Sequence, residues 1–222
     1  MLTVPLLDLA GVPGNEANGS NRVGILTSNV SSLQSYRNEG VAVPGGLAPI
    51  VAPALVGSSI GAFGISQLTN DTFRTVFGLI MIPLIVLTII KPKVDTDAQP
   101  WPIPVTVVVF FGIGLYAGAI QAGVGLVLLA ALSRSGFDLI TANVVKVIFI
   151  FFATCIALPV FILGGDVRWG PAVLLAVGLT IGGWIGAKFA VRGGEKWIRV
   201  VMIIAAIALA LRLLGFWDWV FS

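Results

Sequence analysis

Two basic side chains lie well inside apolar stretches of the sequence and are the first candidates for chemistry. Arg22 belongs to a polar segment with Asn18, Ser20 and Asn21, and Lys146 lies within the run TANVVKVIFIFF. An isolated charge in an apolar environment is costly and is usually kept for a reason. A cation with amide and hydroxyl donors nearby suits an oxyanion. The alternative for both residues is a long side chain that reaches toward water.

Glycines supply a second kind of candidate, because they let a backbone approach a ligand. They are concentrated in segment 103–132, where Gln121 lies among Gly112, Gly114, Gly118, Gly123 and Gly125. Glycine allows helices to pack closely, and it also allows a helix to break. Two interpretations stay open: one long spanning helix, or a broken or re-entrant element whose backbone amides face a ligand.

Other kinds of chemistry lack the residues that they need. The chain has no histidine and one cysteine, Cys155, so we expect no transition metal, no haem, no disulfide and no cofactor. The acidic residues all lie near the ends of apolar segments, which excludes a proton relay through a buried carboxylate. An intramembrane enzyme is the alternative class, but its usual catalytic groups are missing, so we expect no enzyme activity.

Composition identifies the surroundings of these residues. Of 222 residues, 57% are hydrophobic and 10% are charged, and the mean hydropathy is +1.03. A soluble domain is about 25% charged, so the solvent of this chain is the lipid bilayer. The net charge of +3 is spread singly over the ends of apolar runs, which is typical of membrane anchors and does not predict nucleic-acid binding.

The apolar runs predict an all-α fold, a polytopic transmembrane helical bundle. They cover 17–36, 44–66, 72–90, 103–132, 138–163, 169–190 and 196–214. The first run is too polar to face lipid all round, so we expect it to pack on other helices or to line a cavity. A charged, proline-containing linker, 91–102, separates a first unit, 1–90, from a second, 103–222.

The two units resemble each other without a gap at an offset of 125 residues. The pairs are Gly11 with Gly136, Ala17-Asn18 with Ala142-Asn143, Gly40 with Gly165, Gly45 with Gly170, Gly57 with Gly182, Gly61 with Gly186 and Arg74 with Arg199. Such repeats are common in secondary transporters. Segment 103–125 has no partner in the first unit, so the first repeat is expected to lack its N-terminal glycine-rich element.

The basic residues favour a re-entrant segment 103–132. If this segment returns to the face where it starts, most of the basic residues other than Arg22 and Lys146 share one face: Arg37, Lys91, Lys93, Arg134, Lys188, Arg192, Lys196 and Arg199. The other face then holds Arg74, Arg168 and Arg212. The positive-inside rule prefers this asymmetry, which would make the two repeats inverted in topology.

The chain resembles the TauE/SafE sulfite exporter family. The resemblance depends on GIGLYAGAIQAGVGLVLLAAL followed by GFDLITANVVKV, and on VPLLDLAGVPGNEANGSNRVGIL in the first unit. It implies a multi-pass protein of the bacterial plasma membrane that exports sulfite, organosulfonates or related small anions. The substrate-binding residues that it implies are Asn18, Ser20, Asn21, Arg22, Gln121, Gly123, Gly125, Asn143 and Lys146.

Two departures from the family pattern bear on this expectation. The first glycine-rich stretch is missing, and in the second unit the glycine run is reduced to Gly123-Val124-Gly125. The alternative is therefore a non-transporting or partner-dependent membrane subunit of the same fold. The expected partners are a small anion and the bilayer, and a homo-oligomer is left open.

Overall fold

The computed structural model describes residues 3–89 and 99–192 of the chain. Within these ranges the regular secondary structure is helical throughout. The helices are α1 (Thr3–Leu9), α2 (Gly14–Asn38), α3 (Ala48–Ser66), α4 (Asn70–Ile89), α5 (Ile103–Ala119), α6 (Val124–Arg134), α7 (Leu139–Leu163) and α8 (Trp169–Val191). Three of them, α3, α7 and α8, are long and apolar enough to cross a membrane. The predicted all-helical membrane bundle is confirmed at this level.

Most predicted segments match a helix, with two differences. The run 103–132 is two helices, α5 and α6, and α1 is a separate short helix that the apolar pattern did not predict. The predicted run 196–214 and most of the linker 91–102 lie outside the described residues. Because α6 has only 11 residues, it extends about 16 Å at 1.5 Å per residue, which is too short to cross a bilayer.

The polar helix α2 is buried against α8, as expected for a helix that lipid cannot solvate. Hydroxyl groups one helical turn apart donate to carbonyls of α8: Thr27 to Ala176 at 3.3 Å, Ser31 to Thr180 at 2.6 Å and Ser35 to Trp184 at 3.0 Å. The i, i+4 spacing places these hydroxyls on one face. A row of side-chain donors therefore fastens α2 to the backbone of its neighbour.

Ion pairs close both ends of the α2–α8 pair. Glu16 at the start of α2 pairs with Arg168 at the start of α8, and Glu39 pairs with Arg192 at 3.2 Å where both helices end. The two helices therefore run parallel. Beside the first pair, burial and then the nearby Glu16 charge raise the pKa of Asp166.

Glycines allow α3 and α5 to pack with their backbones in contact. A side chain at Gly114 would overlap the backbone of Ala54, and one at Gly118 would overlap the backbone of Ser58. Pairs of small residues four apart are typical of close membrane helix packing. The constant spacing between these contacts shows that α3 and α5 also run parallel.

The direction of α7 decides the course of α6. Phe110 of α5 packs on Phe149 of α7 at 6.0 Å between ring centroids, and Gln121, just after α5, bonds to Thr154 of α7. Both helices therefore begin at the same end of the bundle. Since α6 connects the end of α5 to the start of α7, it must turn back toward the end where α5 begins. The broken, re-entrant interpretation of 103–132 is confirmed, and the single long helix is wrong.

Candidate functional site

The centre of the candidate site is the break between α5 and α6, residues 120–123. Gln121 has a φ of 59° and Gly123 a φ of 75°, both in the left-handed region. Glycine adopts this conformation readily, but for glutamine it costs roughly 1–2 kcal/mol. The Gln121 side chain compensates by donating from Nε2 to Thr154 Oγ1 at 2.6 Å. Packing on α7 therefore holds the break in a strained conformation.

The C-terminal end of α5 is closed by two side chains from α2. Arg22 donates from Nη1 to the carbonyl of Ala117 at 3.2 Å, and from Nη2 to the carbonyls of Gly118 and of Ala119, the latter at 3.2 Å. Asn18, one turn earlier on α2, donates to the Ala119 carbonyl at 2.8 Å. The last carbonyls of a helix lack partners within it. Here α2 supplies the partners of the last three, while the Tyr116 carbonyl accepts from the amide of Ile120 at 3.0 Å.

Arg22 is the most deeply buried charge among the described residues, with 0% of its surface exposed. Its guanidinium also lies over the ring of Phe161 at 4.4 Å from the centroid. A helix C-terminus carries about half a negative charge. The contacts with α5 and the aromatic face therefore stabilise a cation that burial alone would disfavour.

The N-terminal end of α6 is arranged in the opposite way. Its N-cap is Gly123, which offers no side chain, and no described residue accepts a hydrogen bond from the amides of Gly123 or Gly125. Lys146 of α7 packs beside this end, because a Cβ on Gly125 would lie 3.5 Å from its Cδ. The Lys146 ammonium donates to Asn143 Oδ1 at 2.6 Å. Free amides and the stem of a lysine side chain therefore lie side by side at one helix end.

Polar atoms without partners accumulate near the break. Among the described residues, buried atoms without a hydrogen bond include Asn18 Oδ1, Gln121 Oε1 and Arg22 Nε. Asn18 and Arg22 are joined through the shared Ala119 carbonyl. Unpaired polar atoms in an apolar interior are rare and call for an explanation. These three atoms belong to the side chains at the end of α5 and in the break.

Two predicted site residues, Ser20 and Asn21, also belong to α2 but bond to other parts of the protein. Ser20 Oγ accepts from the amide of Arg168 at 2.8 Å, and Asn21 Oδ1 accepts from the hydroxyl of Thr3 at 2.6 Å. Both fasten α2 to its neighbours. The other seven predicted site residues fall into three groups: Asn18 and Arg22 at the end of α5, Gln121 and Gly123 in the break, and Gly125, Asn143 and Lys146 at the start of α6.

Two residues of this region escaped the sequence analysis. Thr154 positions Gln121, and Phe161 lies under the guanidinium of Arg22. Both belong to the apolar run of α7, in which threonine and phenylalanine are ordinary residues. Only the fold reveals that they face α5 and α2.

A helix that is broken inside an apolar bundle is typical of secondary transporters, and here a buried arginine and a half-buried lysine flank the break. The comparison with known families agrees, since the family described as "Sulfite exporter TauE/SafE" matches residues 1–213. The chain belongs to the TauE/SafE family of membrane transporters.

Relatives of the chain carry names of the same kind. "Probable membrane transporter protein ORF9" of Sinorhizobium sp is 27% identical over 219 residues, which are 97% of this chain and 84% of the relative. "Probable membrane transporter protein YfcA" of Escherichia coli (strain K12) is 24% identical over 96% of this chain and 81% of the relative. A "Probable membrane transporter protein" of Haemophilus influenzae is 22% identical over 99% of this chain and 88% of the relative. No solved structure matches the chain.

Proposed function

We propose that this transporter exports small oxyanions, with sulfite and organosulfonates as its leading substrates. The observation that carries the proposal is the position of Lys146 beside the amides that begin α6. A helix N-terminus favours an anion, and a lysine ammonium adds a full positive charge and further donors. Asn143, already bonded to Lys146, supplies an amide at the same place.

The structure leaves little room beside Asn143. A cleft of about 20 Å³ lies beside Asn143 and Tyr36, which is room for one water molecule. A sulfite ion is larger. Substrate binding in this proposal therefore needs a second arrangement of the helices, as expected when one repeat rocks against the other.

We also propose that the two units are inverted repeats. When 125 is added to the bounds of α2 (Gly14–Asn38), they coincide with those of α7 (Leu139–Leu163). Ser58 donates to the Ala153 carbonyl, and the equivalent pair, Gly183 and Ser28, is also in contact. Both observations support equivalence of the two units.

The directions of α2 and α7 support the inversion. Arg22, near the start of α2, lies over Phe161 near the end of α7, whereas Tyr36 near the end of α2 packs on Val144 and Ile148 near the start of α7. The equivalent helices are therefore antiparallel. Residues at equivalent positions then lie at similar distances from opposite ends of the bundle. Arg22, near the start of α2, and Lys146, near the start of α7, therefore belong to opposite halves of the bundle.

The charges at the two ends favour one orientation in a bacterial plasma membrane. The end where α5 and α7 begin carries Arg37, Arg134, Lys188 and Arg192, and the other end carries Arg74 and Arg168. The positive-inside rule assigns the first end to the cytoplasm. Exposed Asn38→Cys should therefore be labelled only from the cytoplasmic side and exposed Gln67→Cys only from the outside, in a background without Cys155. Labelling from the same side would contradict this topology.

Efflux of sulfite from liposomes tests the function. Purified protein is reconstituted into liposomes loaded with labelled sulfite or sulfoacetate, and release is compared with protein-free liposomes. We expect Lys146→Gln to lower the release rate at least roughly tenfold, because about 1.4 kcal/mol of binding free energy corresponds to a factor of ten. The matched control is Lys188→Ala, an exposed lysine in the last turn of α8, which should stay within about twofold of wild type.

The outcomes separate the alternatives. Release no faster than from protein-free liposomes would remove sulfite and sulfonates as substrates and favour the partner-dependent subunit. Equal rates for Lys146→Gln and wild type would remove Lys146 from the site while leaving the transport activity in place.

A further inference from the structure

The end of α5 has the features of a cation-binding site that is already filled. In transporters with broken helices, carbonyls at the C-terminal end of a half-helix commonly coordinate the coupling cation. Here the three last carbonyls of α5, those of Ala117, Gly118 and Ala119, accept hydrogen bonds from one guanidinium. That guanidinium belongs to Arg22, which is fully buried.

We propose that Arg22 is a tethered cation that takes the place of a free coupling cation at the end of α5. The proposal rests on the transport activity proposed above. It predicts that anion transport by this protein needs no sodium or other free monovalent metal cation. Arg22 is then a positioning residue: it holds the end of α5 and the break, while the substrate meets Lys146 at the start of α6.

The shape of the site fits a guanidinium rather than a small metal ion. A guanidinium is planar and has five N–H donors in a fixed fork. Its plane lies near the ring of Phe161, an apolar face that stabilises a delocalised cation and offers no oxygen to a metal ion. The Asn18 amide meets the last carbonyl with a donor nitrogen, which would repel a cation placed there.

The proposal depends on the positive charge of Arg22 and not only on its hydrogen bonds. A row of buried carbonyls at a helix end could be satisfied by neutral donors, as Asn18 shows at Ala119. A full positive charge also offsets the partial negative charge of the helix end. It thereby keeps the middle of the bundle positive for an anion that crosses it.

Chemical rescue with small molecules tests whether the charge of the Arg22 side chain is required or only its hydrogen bonds. Arg22→Ala should lower sulfite release at least roughly tenfold, on the same scale of about 1.4 kcal/mol per factor of ten. Guanidinium at millimolar concentration, far below the molar range in which it denatures proteins, should restore a measurable part of that rate. Urea at the same concentration has a similar shape and is neutral, so it should not. Arg37→Ala, an exposed arginine in the last turn of α2, is the matched control and should transport like wild type.

Two transport results would overturn the proposal. One is equal rescue by urea and by guanidinium, which would show that hydrogen bonding alone is required. The other is wild-type release that stops when sodium and potassium are replaced by choline on both sides. Wild-type rates that do not change in choline, with rescue by guanidinium alone, support it.

A stability measurement tests the inference even if sulfite is not the substrate. Millimolar guanidinium should raise the melting temperature of purified Arg22→Ala, because a ligand that binds only the folded state stabilises it. Urea should not do so, and neither compound should stabilise wild type. No shift with guanidinium, or an equal shift with urea, overturns the proposal.

A second pair of variants covers the case in which Arg22→Ala does not accumulate. Arg22→Lys keeps the charge, and Arg22→Gln keeps a neutral donor on a shorter side chain. We expect Arg22→Lys to be the more stable and the more active of the two. A Gln variant equal to wild type in both respects would contradict the tethered cation.

Discussion

The two helix ends that meet at the break differ in whether side chains satisfy their backbone hydrogen-bonding groups. The end of α5 is closed from α2, where Arg22 and Asn18 supply donors for its last carbonyls. The start of α6 has a glycine N-cap, and Lys146 lies beside it without capping it. In a medium without water, an open helix end is costly. The difference teaches that one end is built for stability, whereas the other is the open end at which we propose that the anion binds.

The largest expected effect comes from the closed end. Gly118→Ala would place a methyl group on the backbone of Ser58 in α3. Backbone atoms cannot move aside as a flexible side chain can, so we expect a loss of about 3 kcal/mol, the upper part of the range for overpacking. Unfolding in detergent micelles would measure it. A variant as stable as wild type would show that α3 and α5 are not in backbone contact.

Asn18→Ala tests the second closing side chain. It removes one of the two side chains that donate to the Ala119 carbonyl, and Arg22 remains on that carbonyl. Loss of a buried hydrogen bond costs about 1–2 kcal/mol, so the variant should fold with reduced stability. Asn143→Ala is the matched change at the open end, where the side chain is only half-buried. A larger loss of stability from Asn143→Ala would reverse the comparison.

The N-terminus of α7 has a side-chain cap, unlike the N-terminus of α6. Asp138 accepts hydrogen bonds from the amides of Ile140 and Thr141 at 3.0 and 3.1 Å. The Thr141 side chain and these amides hold the pKa of Asp138 below its usual range. Asp138→Ala should therefore cost about 1 kcal/mol near neutral pH.

The pH dependence of that cost has a definite sign. A carboxyl whose pKa is lowered by folding contributes stability above its unfolded pKa and loses it as the pH falls through the folded value. The difference between wild type and Asp138→Ala should thus shrink below about pH 4. Asp138→Asn caps without titrating, so its stability relative to Asp138→Ala should not change with pH. A wild-type advantage that persists in strong acid would exclude the carboxylate as the cap.

Much of the fold could be predicted because its determinants are local. Apolar runs set the long helices, and the polar residues of α2 required protein neighbours, which the hydroxyls of Thr27, Ser31 and Ser35 find on α8. The glycines of 103–132 left two interpretations open. The deciding contacts, from α5 to α2 and to α7, join residues far apart in sequence. The seven residues of α1 are too few to give a periodic signal.

Most residues of the candidate site could be named from the sequence, but Thr154, Phe161 and the arrangement of the site could not. The positions of Arg22 and Lys146 inside long helices follow from the predicted runs 17–36 and 138–163. That Arg22 bonds to carbonyls follows only from the place where α5 ends. That Lys146 meets Gly125 follows only from the return of α6 along α7. The spacing of residues along the chain predicts neither of these two contacts.

The smallest expected change in stability comes from the open end. Gly125→Ala would place its Cβ 3.5 Å from Lys146 Cδ, an ordinary contact, so nothing has to move. Alanine is also the better helix former, so the free energy of unfolding should change by less than about 1 kcal/mol. Transport should nevertheless fall severalfold, because the methyl group would crowd the start of α6 on the side where Lys146 lies. Unchanged sulfite release in a stable Gly125→Ala protein would show that the substrate does not approach the backbone here, and Lys146 would then bind it without the helix end.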